Sequence, residues 1–286
     1  MTLVSVYIPT RNRRLLLERA IASVRSQTHQ DIEIIVVDDA SSDDTHEYLR
    51  SMMNIEPRLV VFNQRVAGGA PRARNLAIRS ARGQFITGLD DDDEFRPRRI
   101  EAFVNAWGSF ASTRTACLFS DSVVTNGSSS AVTTDRRSQV EYRDLFRHNF
   151  IGNQVFCPTS RLVEIGGFDE NLPAWQDLDL FMRLLKRYGV AQRTTDPSYI
   201  YHVERGLSRI SMKVESRREA FERIVSKNFE EGSEQHQLLF LQLFSPFYGT
   251  VPSLSDWQRV LAWRAKPQVF ARLLRATVRN FIKGGV

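Results

Sequence analysis

The first 120 residues alternate between short apolar runs and longer stretches whose apolar residues recur at helical spacing. The short runs are rich in Val, Ile and Phe, as expected for strands buried on both faces. They predict five strands, at residues 3–8, 32–37, 59–62, 84–89 and 115–119. The intervening stretches predict four helices, at residues 13–27, 41–53, 68–79 and 97–107. This alternation favours an α/β fold with a mixed, mostly parallel central sheet and right-handed crossovers.

The rest of the chain departs from this rhythm. Residues 122–150 lack a regular period and contain a polar turn at residues 126–130. Helical spacing returns at residues 178–185. The C-terminal part is helical in pattern, with breaks at three prolines, Pro246, Pro252 and Pro267. We therefore predict an α/β domain over residues 1–211 and a helical C-terminal region over residues 212–286.

Five consecutive acidic residues, from Asp90 to Glu94, follow the fourth predicted strand. An isolated acidic run is usually a solvated loop, but this one stands at the carboxyl end of a buried strand, where open α/β sheets bind ligands. Alternate residues of an extended stretch point the same way, so Asp90 and Asp92 are expected to share one target. Carboxylate oxygens suit Mg²⁺ or Mn²⁺. The run predicts a divalent-metal site that would hold a diphosphate leaving group.

A second acidic pair, Asp38 and Asp39, ends the second predicted strand at the same edge of the sheet. A carboxylate there can accept a hydrogen bond from a nucleobase N–H or a ribose hydroxyl. For Asp38 alone, capping of the helix at residues 41–53 is an equally good interpretation. Neither a Gly-x-Gly-x-x-Gly turn nor a P-loop follows the first strand. Phosphate binding is therefore expected to rely on a metal and on basic side chains.

Composition narrows the class of protein. The chain has 286 residues, of which 42% are apolar and 25% charged, as in a folded α/β domain with an appendage. No apolar run approaches the ~20 residues of a membrane-spanning helix. The N-terminus begins with a strand-like run and lacks the layout of a signal peptide. Cys117 and Cys157 are expected to be free, buried thiols. These features predict a cytoplasmic location.

The net charge of +6 is concentrated at the C-terminus. Residues 257–286 hold seven basic residues and no acidic one, which leaves a balance of −1 for the rest. On a helical projection the apolar residues share one face: Phe270, Leu273, Leu274, Val278, Phe281 and Ile282. The basic residues share the opposite face: Arg272, Arg275, Arg279 and Lys283. Such a helix either packs on the protein or lies in an anionic membrane interface, and the lack of acids favours the membrane. Aromatic residues do not interleave with the charges, so no nucleic-acid partner is expected.

Taken in order, these segments resemble glycosyltransferase family 2, whose members are inverting enzymes with the GT-A fold. The resemblance extends over residues 4–211. Six segments carry it: VSVYIPTRN at residues 4–12, VVDDASSD at 36–43, GAPRARN at 69–75, LDDDDEFRP at 89–97, GGFDE at 166–170 and QDLDLFMR at 176–183. The fourth resembles the family's metal motif, Leu-Asp-x-Asp-Asp-x-x-x-Pro, and the last two resemble its acceptor-side motifs. Each segment is short, but six in the family's order form a specific signature.

The resemblance implies a role for the matching residues. Those implied in nucleotide-sugar binding are Pro9, Thr10, Arg11, Asn12, Asp39, Arg74, Asp90 and Asp91. Among them, Asp39 would hold the uracil edge and Asp90 the ribose or a metal-bound water. Asp92 would be the principal ligand of Mn²⁺ or Mg²⁺, with Asp93 as a further candidate.

On the acceptor side, Asp177 would be the general base that takes the proton of the acceptor hydroxyl. Gln176 and Trp175 would lie beside the acceptor. His202 is either a structural histidine or, with support from Arg205, a ligand of the metal or the diphosphate. The basic residues of the third segment, Arg72 and Arg74, are either salt-bridged or in contact with phosphate.

Three positions depart from the family's pattern. Gln176 replaces the Glu that often precedes the catalytic Asp, which leaves Asp177 as the single candidate base. Arg11 stands where an aromatic residue often stacks on the nucleobase, and a guanidinium can stack in a similar way. Asp91 occupies a variable position, and its charge would either strengthen metal binding or loosen the loop.

The implied reaction is the inverting transfer of a hexose or N-acetylhexosamine from a UDP-sugar to a glycan hydroxyl. The implied acceptor is linked to a lipid such as undecaprenyl diphosphate, in the synthesis of O-antigen, lipopolysaccharide or capsule, which would place the enzyme on the inner face of the cell membrane. Residues 1–120 would bind the nucleotide-sugar and residues 121–211 the acceptor. A sugar-nucleotide pyrophosphorylase is disfavoured, because PTRN at residues 9–12 lacks glycine. A non-catalytic nucleotide-sugar-binding or scaffold protein is the alternative.

Overall fold

The structure is a computed structural model and describes residues 2–110, 114–133, 137–203 and 213–284. It divides into two compact units. The sheet unit comprises Met1–Glu141, Phe150–Glu170 and Leu180–Gly206, and the helical unit comprises Tyr142–Asn149, Asn171–Asp179 and Leu207–Val286. The domain boundary predicted between residues 211 and 212 lies outside the described residues and stays a prediction.

The elements of the described residues follow the chain in this order. The strands are β1 (Val4–Thr10), β2 (Ile32–Asp38), β3 (Leu59–Asn63), β4 (Phe85–Gly88), β5 (Glu94–Phe95), β6 (Thr115–Thr125), β7 (Ser130–Thr133), β8 (Gln139–Val140), β9 (Phe156–Pro158) and β10 (Val190–His202). The helices are α1 (Arg14–Arg25), α2 (Thr45–Met53), α3 (Ala70–Ser80), α4 (Arg99–Phe110), α5 (Thr159–Glu164), α6 (Gln176–Tyr188), α7 (Val214–Asn228), α8 (Glu234–Gln242), α9 (Leu254–Ala262) and α10 (Pro267–Gly284). A short 3-10 helix covers Asp144–Phe146.

The predicted α/β fold is confirmed. The strands form one mixed sheet in the order β3-β2-β1-β4-β9-β6-β10-β5, with β7 beside β6 and β8 beside β10. The long pairings β1/β2, β2/β3, β1/β4 and β6/β10 are parallel. The short strand β9 pairs antiparallel with both β4 and β6. All five predicted strands and all four predicted helices of the first 120 residues are present, and β6 extends further, to Thr125.

Apolar side chains of the central strands form the core of the sheet unit. Every residue of β1 and β2 is buried, in agreement with their continuous apolar runs. Helices α1, α2 and α4 add buried residues to the same cluster, among them Leu17, Leu49 and Phe103. Helix α3 begins after Gly69, whose φ of 83° lies in the left-handed region that favours glycine. The packed core thus supports the loops at the edges of the sheet.

Three parallel strands bring their carboxyl ends to one edge of the sheet. Thr10 at the end of β1 pairs with Asp38 at the end of β2. Gly88 at the end of β4 pairs with Tyr7 of β1, so the acidic run that follows begins at the same edge. On the far side of that run, Phe95 of β5 pairs with Tyr199 of β10. This edge is where open α/β sheets bind ligands.

The helical unit has an aromatic core of its own. Phe221 stacks on His236 at 5.3 Å, and Phe240 packs edge-on against Trp263 at 5.1 Å. Helix α10 buries Val269, Leu273 and Ala276. Three further apolar residues of α10 are exposed: Leu274, Val278 and Ile282. The apolar face predicted for this helix is thus divided into a buried stripe and an exposed one. None of the described helices is long and apolar enough to cross a membrane.

Candidate active site

The acidic run forms a tight turn at the end of β4. The backbone N–H of Asp93 donates to the carbonyl of Asp90 at 3.0 Å, which closes the turn. Asp91 and Asp93 are buried, whereas Asp90 and Asp92 are half-buried. The backbone there is a turn and not the extended stretch that was expected, and a shared target of Asp90 and Asp92 stays a prediction. We call residues 90–93 the acidic turn.

Asp91 points inward, toward the end of β1. Its carboxylate accepts from Thr10 Oγ1 at 2.8 Å and from Arg13 Nη1 at 3.0 Å. Burial raises the pKa of Asp91 to about 6, against the opposing effects of Arg13 and Thr10. The variable position of the metal motif thus fastens the acidic turn to β1. A nucleotide contact by Asp91 or Thr10 stays a prediction.

Asp93 is held by β10. Its carboxylate accepts from Tyr199 Oη at 2.7 Å and from the backbone N–H of His202 at 2.9 Å. Burial raises the pKa of Asp93 well above its usual range, and the neighbouring carboxylates of Asp90 and Asp92 raise it further. Burial also raises the pKa of Tyr199, so that its phenol keeps its proton and donates.

The two half-buried carboxylates contact basic and amide side chains. Asp90 Oδ1 accepts from Arg74 Nη2 at 2.9 Å and from Gln154 Nε2 at 3.2 Å. Asp92 Oδ2 lies 3.2 Å from Arg13 Nη1. Arg74 is therefore salt-bridged to the acidic turn, and a phosphate contact by Arg74 stays a prediction. Its companion Arg72 is exposed.

Sequence reasoning missed several residues around the acidic turn. Arg13 joins two of its carboxylates, and Arg19 Nη2 donates to the carbonyl of Asp92 at 2.6 Å. The expectation that basic side chains would serve this edge was the available signal for both arginines. Gln154 and Tyr199 carried no local signal, because their positions depend on β9 and β10 pairing far along the chain.

The chemistry of the donor set fits a hard divalent cation. Asp90 and Asp92 offer partly accessible carboxylate oxygens, the ligand type that Mg²⁺ and Mn²⁺ prefer. His202 lies 2.7 Å from Glu94 Oε1 through Nε2. Among the described residues, no three His, Cys, Asp or Glu side chains already form a metal-binding group. The metal roles of Asp92, Asp93 and His202 stay predictions, and Arg205 lies outside the described residues.

Asp38 and Asp39 brace the loops at the end of β2. Asp38 Oδ1 accepts from the backbone N–H of Ser41 at 3.0 Å and closes that loop. Helix α2 begins later, at Thr45, so Asp38 is not its N-cap residue. Asp39 accepts from the N–H groups of Gly68 at 2.7 Å and Gly69 at 2.8 Å. The same buried carboxylate also accepts from Gln64 Nε2 at 3.2 Å. A carboxylate has about four acceptor positions, so these three bonds leave one for a nucleobase. Its contact with uracil stays a prediction.

The loop after β1 is fastened to the loop after β2. Pro9 and Thr10 are buried in β1, and Arg11 is exposed. Asn12 has a positive φ of 53°, and its Oδ1 accepts from the N–H of Ser42 at 2.7 Å. Of residues 9–12, which are predicted to bind the nucleotide, the first two are thus buried in the sheet and the last two are exposed at its edge.

Two of the family segments contact each other in the sheet unit. Asn75 Nδ2 donates to the carbonyl of Phe168 at 2.9 Å, and Asn75 Oδ1 accepts from the N–H of Phe168 at 2.7 Å. Arg183 donates to the carbonyls of Ile165 and Gly167, both at 2.7 Å. Gly167 has a φ of 68°, and a Cβ there would lie 2.3 Å from Asn75 Oδ1, so this contact favours glycine at that position.

The candidate base belongs to the helical unit. Asp177 stands in the first turn of α6, after Trp175, which is buried and has a φ of 58°. Trp175 Nε1 donates to Tyr248 Oη at 3.0 Å, and Gln176 Nε2 donates to the carbonyl of Leu172 at 2.9 Å. Burial raises the pKa of Tyr248, and the Asp177 carboxylate raises it further. The acceptor-side roles of Asp177, Gln176 and Trp175 stay predictions.

Comparison with known sequences decides the family. Residues 5–170 match the profile of Glycosyl transferase family 2, and this range includes the acidic turn and the edge that carries it. The chain belongs to glycosyltransferase family 2. It is therefore a glycosyltransferase, as the resemblance of its six segments predicted.

Individual bacterial glycosyltransferases are also similar to this chain. The putative colanic acid biosynthesis glycosyl transferase WcaA of Escherichia coli is 33% identical over 84% of this chain and 87% of its own length. The GalNAc(5)-diNAcBac-PP-undecaprenol beta-1,3-glucosyltransferase of Campylobacter jejuni is 32% identical over 59% of this chain. This chain spans 56% of that enzyme.

Two solved structures share the fold. TarS 1-349 of S. aureus, in complex with UDP-GlcNAc, matches with a TM-score of 0.63 and 18% identity over 96% of this chain and 79% of its own. The mannosyltransferase PcManGT of Pyrobaculum calidifontis, in complex with GDP-Man and Mn²⁺, matches with a TM-score of 0.58 and 18% identity over 97% and 86%. The predicted GT-A fold is confirmed.

Proposed function

We propose that this family 2 glycosyltransferase moves a hexose or N-acetylhexosamine from a UDP-sugar to a glycan hydroxyl, with inversion at the anomeric carbon. One observation carries the proposal. The acidic turn at the end of β4 holds two half-buried carboxylates, of which Asp90 contacts Arg74 and Asp92 contacts Arg13. Carboxylates for a cation and guanidinium groups for phosphate are the groups that a nucleotide-diphosphate donor requires.

The donor is proposed to bind along the carboxyl ends of β1, β2 and β4. Asp39 would accept from the uracil N–H, and Asp90 would bind the ribose or a metal-bound water. The loop of residues 9–12 would cover the nucleotide. TarS, which shares the fold, was solved with UDP-GlcNAc, which supports a UDP-sugar. PcManGT was solved with GDP-Man, so the base is tested directly below.

Asp92 is proposed as the main ligand of Mn²⁺ or Mg²⁺. When bound, such a cation neutralises the diphosphate and stabilises the departing UDP. The buried carboxylates of Asp91 and Asp93 would hold the shape of the turn, and the half-buried carboxylates of Asp90 and Asp92 would stay accessible to the cation. The Mn²⁺ in the PcManGT complex supports this choice of cation.

Asp177 is proposed as the general base. The bond between the anomeric carbon and the diphosphate breaks, the acceptor oxygen forms the new glycosidic bond from the opposite face, and Asp177 takes the acceptor's proton. An α-linked donor then gives a β-linked product. The first turn of a helix favours the ionised carboxylate that this role needs. Gln176 cannot replace it, because an amide is not a base and this one already donates to Leu172.

The acceptor is proposed to be a lipid-linked precursor of a surface polysaccharide, such as O-antigen, lipopolysaccharide or capsule. The names of two relatives support this: one is assigned to colanic acid biosynthesis, and the other acts on an undecaprenol-linked glycan. Residues 1–120 would bind the donor and residues 121–211 the acceptor, with residues 212–286 as a helical extension.

A lipid-linked acceptor suggests a peripheral location on the inner face of the cell membrane. Helix α10 exposes Leu274, Val278 and Ile282, which lie four residues apart and therefore form one stripe. Arg275 is exposed next to this stripe. An apolar stripe bordered by positive charge suits the interface of an anionic bilayer.

One experiment tests the reaction. Release of UDP would be measured with a panel of UDP-sugars and GDP-mannose, a synthetic diphospholipid-linked GlcNAc or GalNAc acceptor, and either Mn²⁺ or EDTA. We expect acceptor-dependent turnover with one UDP-sugar, and its loss with EDTA. Asp92→Asn and Asp177→Asn should reduce kcat at least 100-fold, because each removes a group needed in the transition state.

Asp196→Asn is the matched control, since Asp196 is exposed on β10 and should not affect turnover. Turnover that is restricted to GDP-mannose would refute the UDP-sugar assignment. Full activity in EDTA would refute the metal, and full activity of Asp177→Asn would refute the base.

A further inference from the structure

The fourth aspartate of the acidic turn differs from a metal ligand in its contacts. Asp93 is 1% exposed, and both of its carboxylate oxygens accept hydrogen bonds from β10. Asp90 and Asp92, in the same turn, are half-buried. A carboxylate that is buried and bonded at both oxygens is suited to anchoring a backbone, not to binding a cation from solvent.

Tyr199 joins the two ends of the acidic turn. Its hydroxyl donates to Asp93 Oδ2 at 2.7 Å, and its oxygen accepts from the backbone N–H of Asp90 at 3.4 Å. The turn is also closed by the bond from Asp93 N–H to the Asp90 carbonyl. One phenol oxygen therefore contacts both residues that flank Asp91 and Asp92, and it restrains the geometry of the loop between them.

The ring of Tyr199 is itself fixed. Phe95 packs edge-on against it at 5.8 Å, and the Arg99 guanidinium lies 5.2 Å from the ring centroid. Arg99 is fully buried, and it donates to the hydroxyls of Ser120 at 2.7 Å and Ser198 at 3.0 Å. A buried guanidinium over an aromatic face is a favourable contact that holds the ring in place. The hydroxyl of Tyr199 thus has little freedom to move away from the turn.

We propose that Tyr199 is a positioning residue of the metal site, which acts through Asp93, and that Asp93 is an anchor of the acidic turn and not a metal ligand. This inference rests on the proposed function, because it concerns the metal that Asp92 would bind. Residues that orient metal ligands through hydrogen bonds commonly change metal affinity about 10–100-fold when they are replaced. Tyr199 would fix the relative positions of the Asp90 and Asp92 carboxylates in this way.

The variant Tyr199→Phe tests the inference, because it deletes one oxygen and keeps the ring between Phe95 and Arg99. The Kd of Mn²⁺ in the presence of UDP would be measured by calorimetry for this variant, for Asp93→Asn and for the double variant. We expect each single change to raise the Kd of Mn²⁺ about 10-fold. The double variant should bind Mn²⁺ with the same Kd as the single variant of lower affinity. If the two effects multiply, Asp93 contributes to the metal independently of Tyr199, and the inference is wrong.

Tyr48→Phe is the matched control. Tyr48 also packs against the core of the sheet unit, and it also lies beneath a guanidinium, that of Arg14 at 5.2 Å. The Tyr48→Phe change also removes one oxygen, but it should leave the Kd of Mn²⁺ unchanged. An equal Kd for Tyr199→Phe and Tyr48→Phe would overturn the role of Tyr199.

A measurement without metal separates this inference from the proposed function. Hydrogen–deuterium exchange at residues 90–94 should be faster in Tyr199→Phe than in the wild type, and unchanged in Tyr48→Phe. Equal exchange in all three proteins would overturn the inference even if Mn²⁺ binds. A wild-type protein that binds neither Mn²⁺ nor Mg²⁺ with UDP would instead refute the proposed metal site, while the exchange data still decide whether Tyr199 holds the turn.

Discussion

At the scale of single residues, Gly88 shows how the end of β4 is fitted to the acidic turn. A Cβ at this position would lie 2.0 Å from Gln154 Oε1 and 2.4 Å from Tyr7 Cζ. Tyr7 Oη donates to Gln154 at 2.9 Å, and the Gln154 amide donates to Asp90. The missing side chain therefore leaves the space in which Tyr7 and Gln154 reach the acidic turn.

Gly88→Ala is expected to move this pair of side chains away from Asp90. Overpacking of a filled site costs about 1–3 kcal/mol, and the free energy of unfolding should fall by this amount. The affinity for UDP-sugar should fall as well, because Asp90 loses an orienting contact. Urea unfolding and a donor titration measure the two effects.

Gly108→Ala is the control, since a Cβ there meets nothing within 4 Å inside α4. It should be neutral or stabilise the protein by up to about 1 kcal/mol. Equal stability of the two variants would show that Gly88 is not constrained by Tyr7 and Gln154.

The aspartates of the acidic turn mark how far sequence reasoning reaches at this scale. The position of the run after a buried strand was enough to place it at the ligand-binding edge of the sheet. It was not enough to separate the roles of its members, because each role depends on a distant partner. Asp91 is fixed by Thr10, and Asp93 by Tyr199. Such contacts join residues that are close only in the folded chain, so no local pattern contains them.

At the scale of elements, length and burial decided what the sequence could predict. Strands β1 to β4 and β6 carry continuous apolar runs, and all of them were predicted. Strands β5, β8 and β9 have two or three residues each, too few to show a period. They form because neighbouring strands offer unpaired backbone groups, as β4 and β6 do to β9. An antiparallel strand within a mostly parallel sheet is for this reason invisible to a reading of the local pattern.

Glu56 fastens the end of α1 to the start of β3. Its buried carboxylate accepts from Arg58 Nε at 2.8 Å, from Arg58 Nη2 at 2.9 Å and from Arg25 Nε at 3.0 Å. Hydrogen bonds from Arg58, and a further one from Arg25, outweigh the effect of burial. Together they lower the pKa of Glu56 to about 2. The ionised form is thus favoured in the folded state.

Glu56→Gln should destabilise the protein by about 2 kcal/mol at pH 7. A carboxyl group whose pKa is lowered by folding stabilises the protein above its unfolded value of about 4.5, and this contribution is lost as the pH falls toward 2. The stability difference between wild type and variant should therefore shrink steadily between pH 5 and pH 3. Urea unfolding at pH 7, 5, 4 and 3 measures it.

Glu101→Gln is the control for this pH series. Glu101 is half-buried, and its contacts with Arg98 and Thr28 lie at the surface, so its replacement should change stability little at any pH. A Glu56→Gln variant whose deficit stays constant from pH 7 to pH 3 would show that its effect is one of packing and not of charge.

At the scale of the whole molecule, the excess positive charge is partly used within the helical unit. Of the seven basic residues at positions 257–286, Arg259 pairs with Glu222 and Lys266 pairs with Glu234. Arg279 donates to the carbonyl of Phe244. Electrostatic attraction to a bilayer would therefore come from fewer residues than the sequence suggests, and the exposed apolar stripe of α10 would have to supply part of the affinity.

The double variant Leu274→Ser/Val278→Ser tests this membrane contact better than a truncation, because removal of α10 would also remove the buried Leu273 and Val269. Wild type should sediment with vesicles that contain phosphatidylglycerol, and less so with pure phosphatidylcholine or at high salt. Burial of each exposed apolar side chain is worth about 1.5–3 kcal/mol, so the double variant should bind at least 10-fold more weakly.

Leu254→Ser/Leu261→Ser is the matched control, since it removes two exposed apolar side chains from α9 and leaves the stripe of α10 unchanged. If the stripe of α10 lies in the bilayer, the control binds vesicles like the wild type while Leu274→Ser/Val278→Ser does not. Equal losses in both variants would mean that general surface hydrophobicity causes the binding. Unchanged binding of Leu274→Ser/Val278→Ser would refute the membrane role of α10 and leave the lipid-linked acceptor to recruit the enzyme by itself.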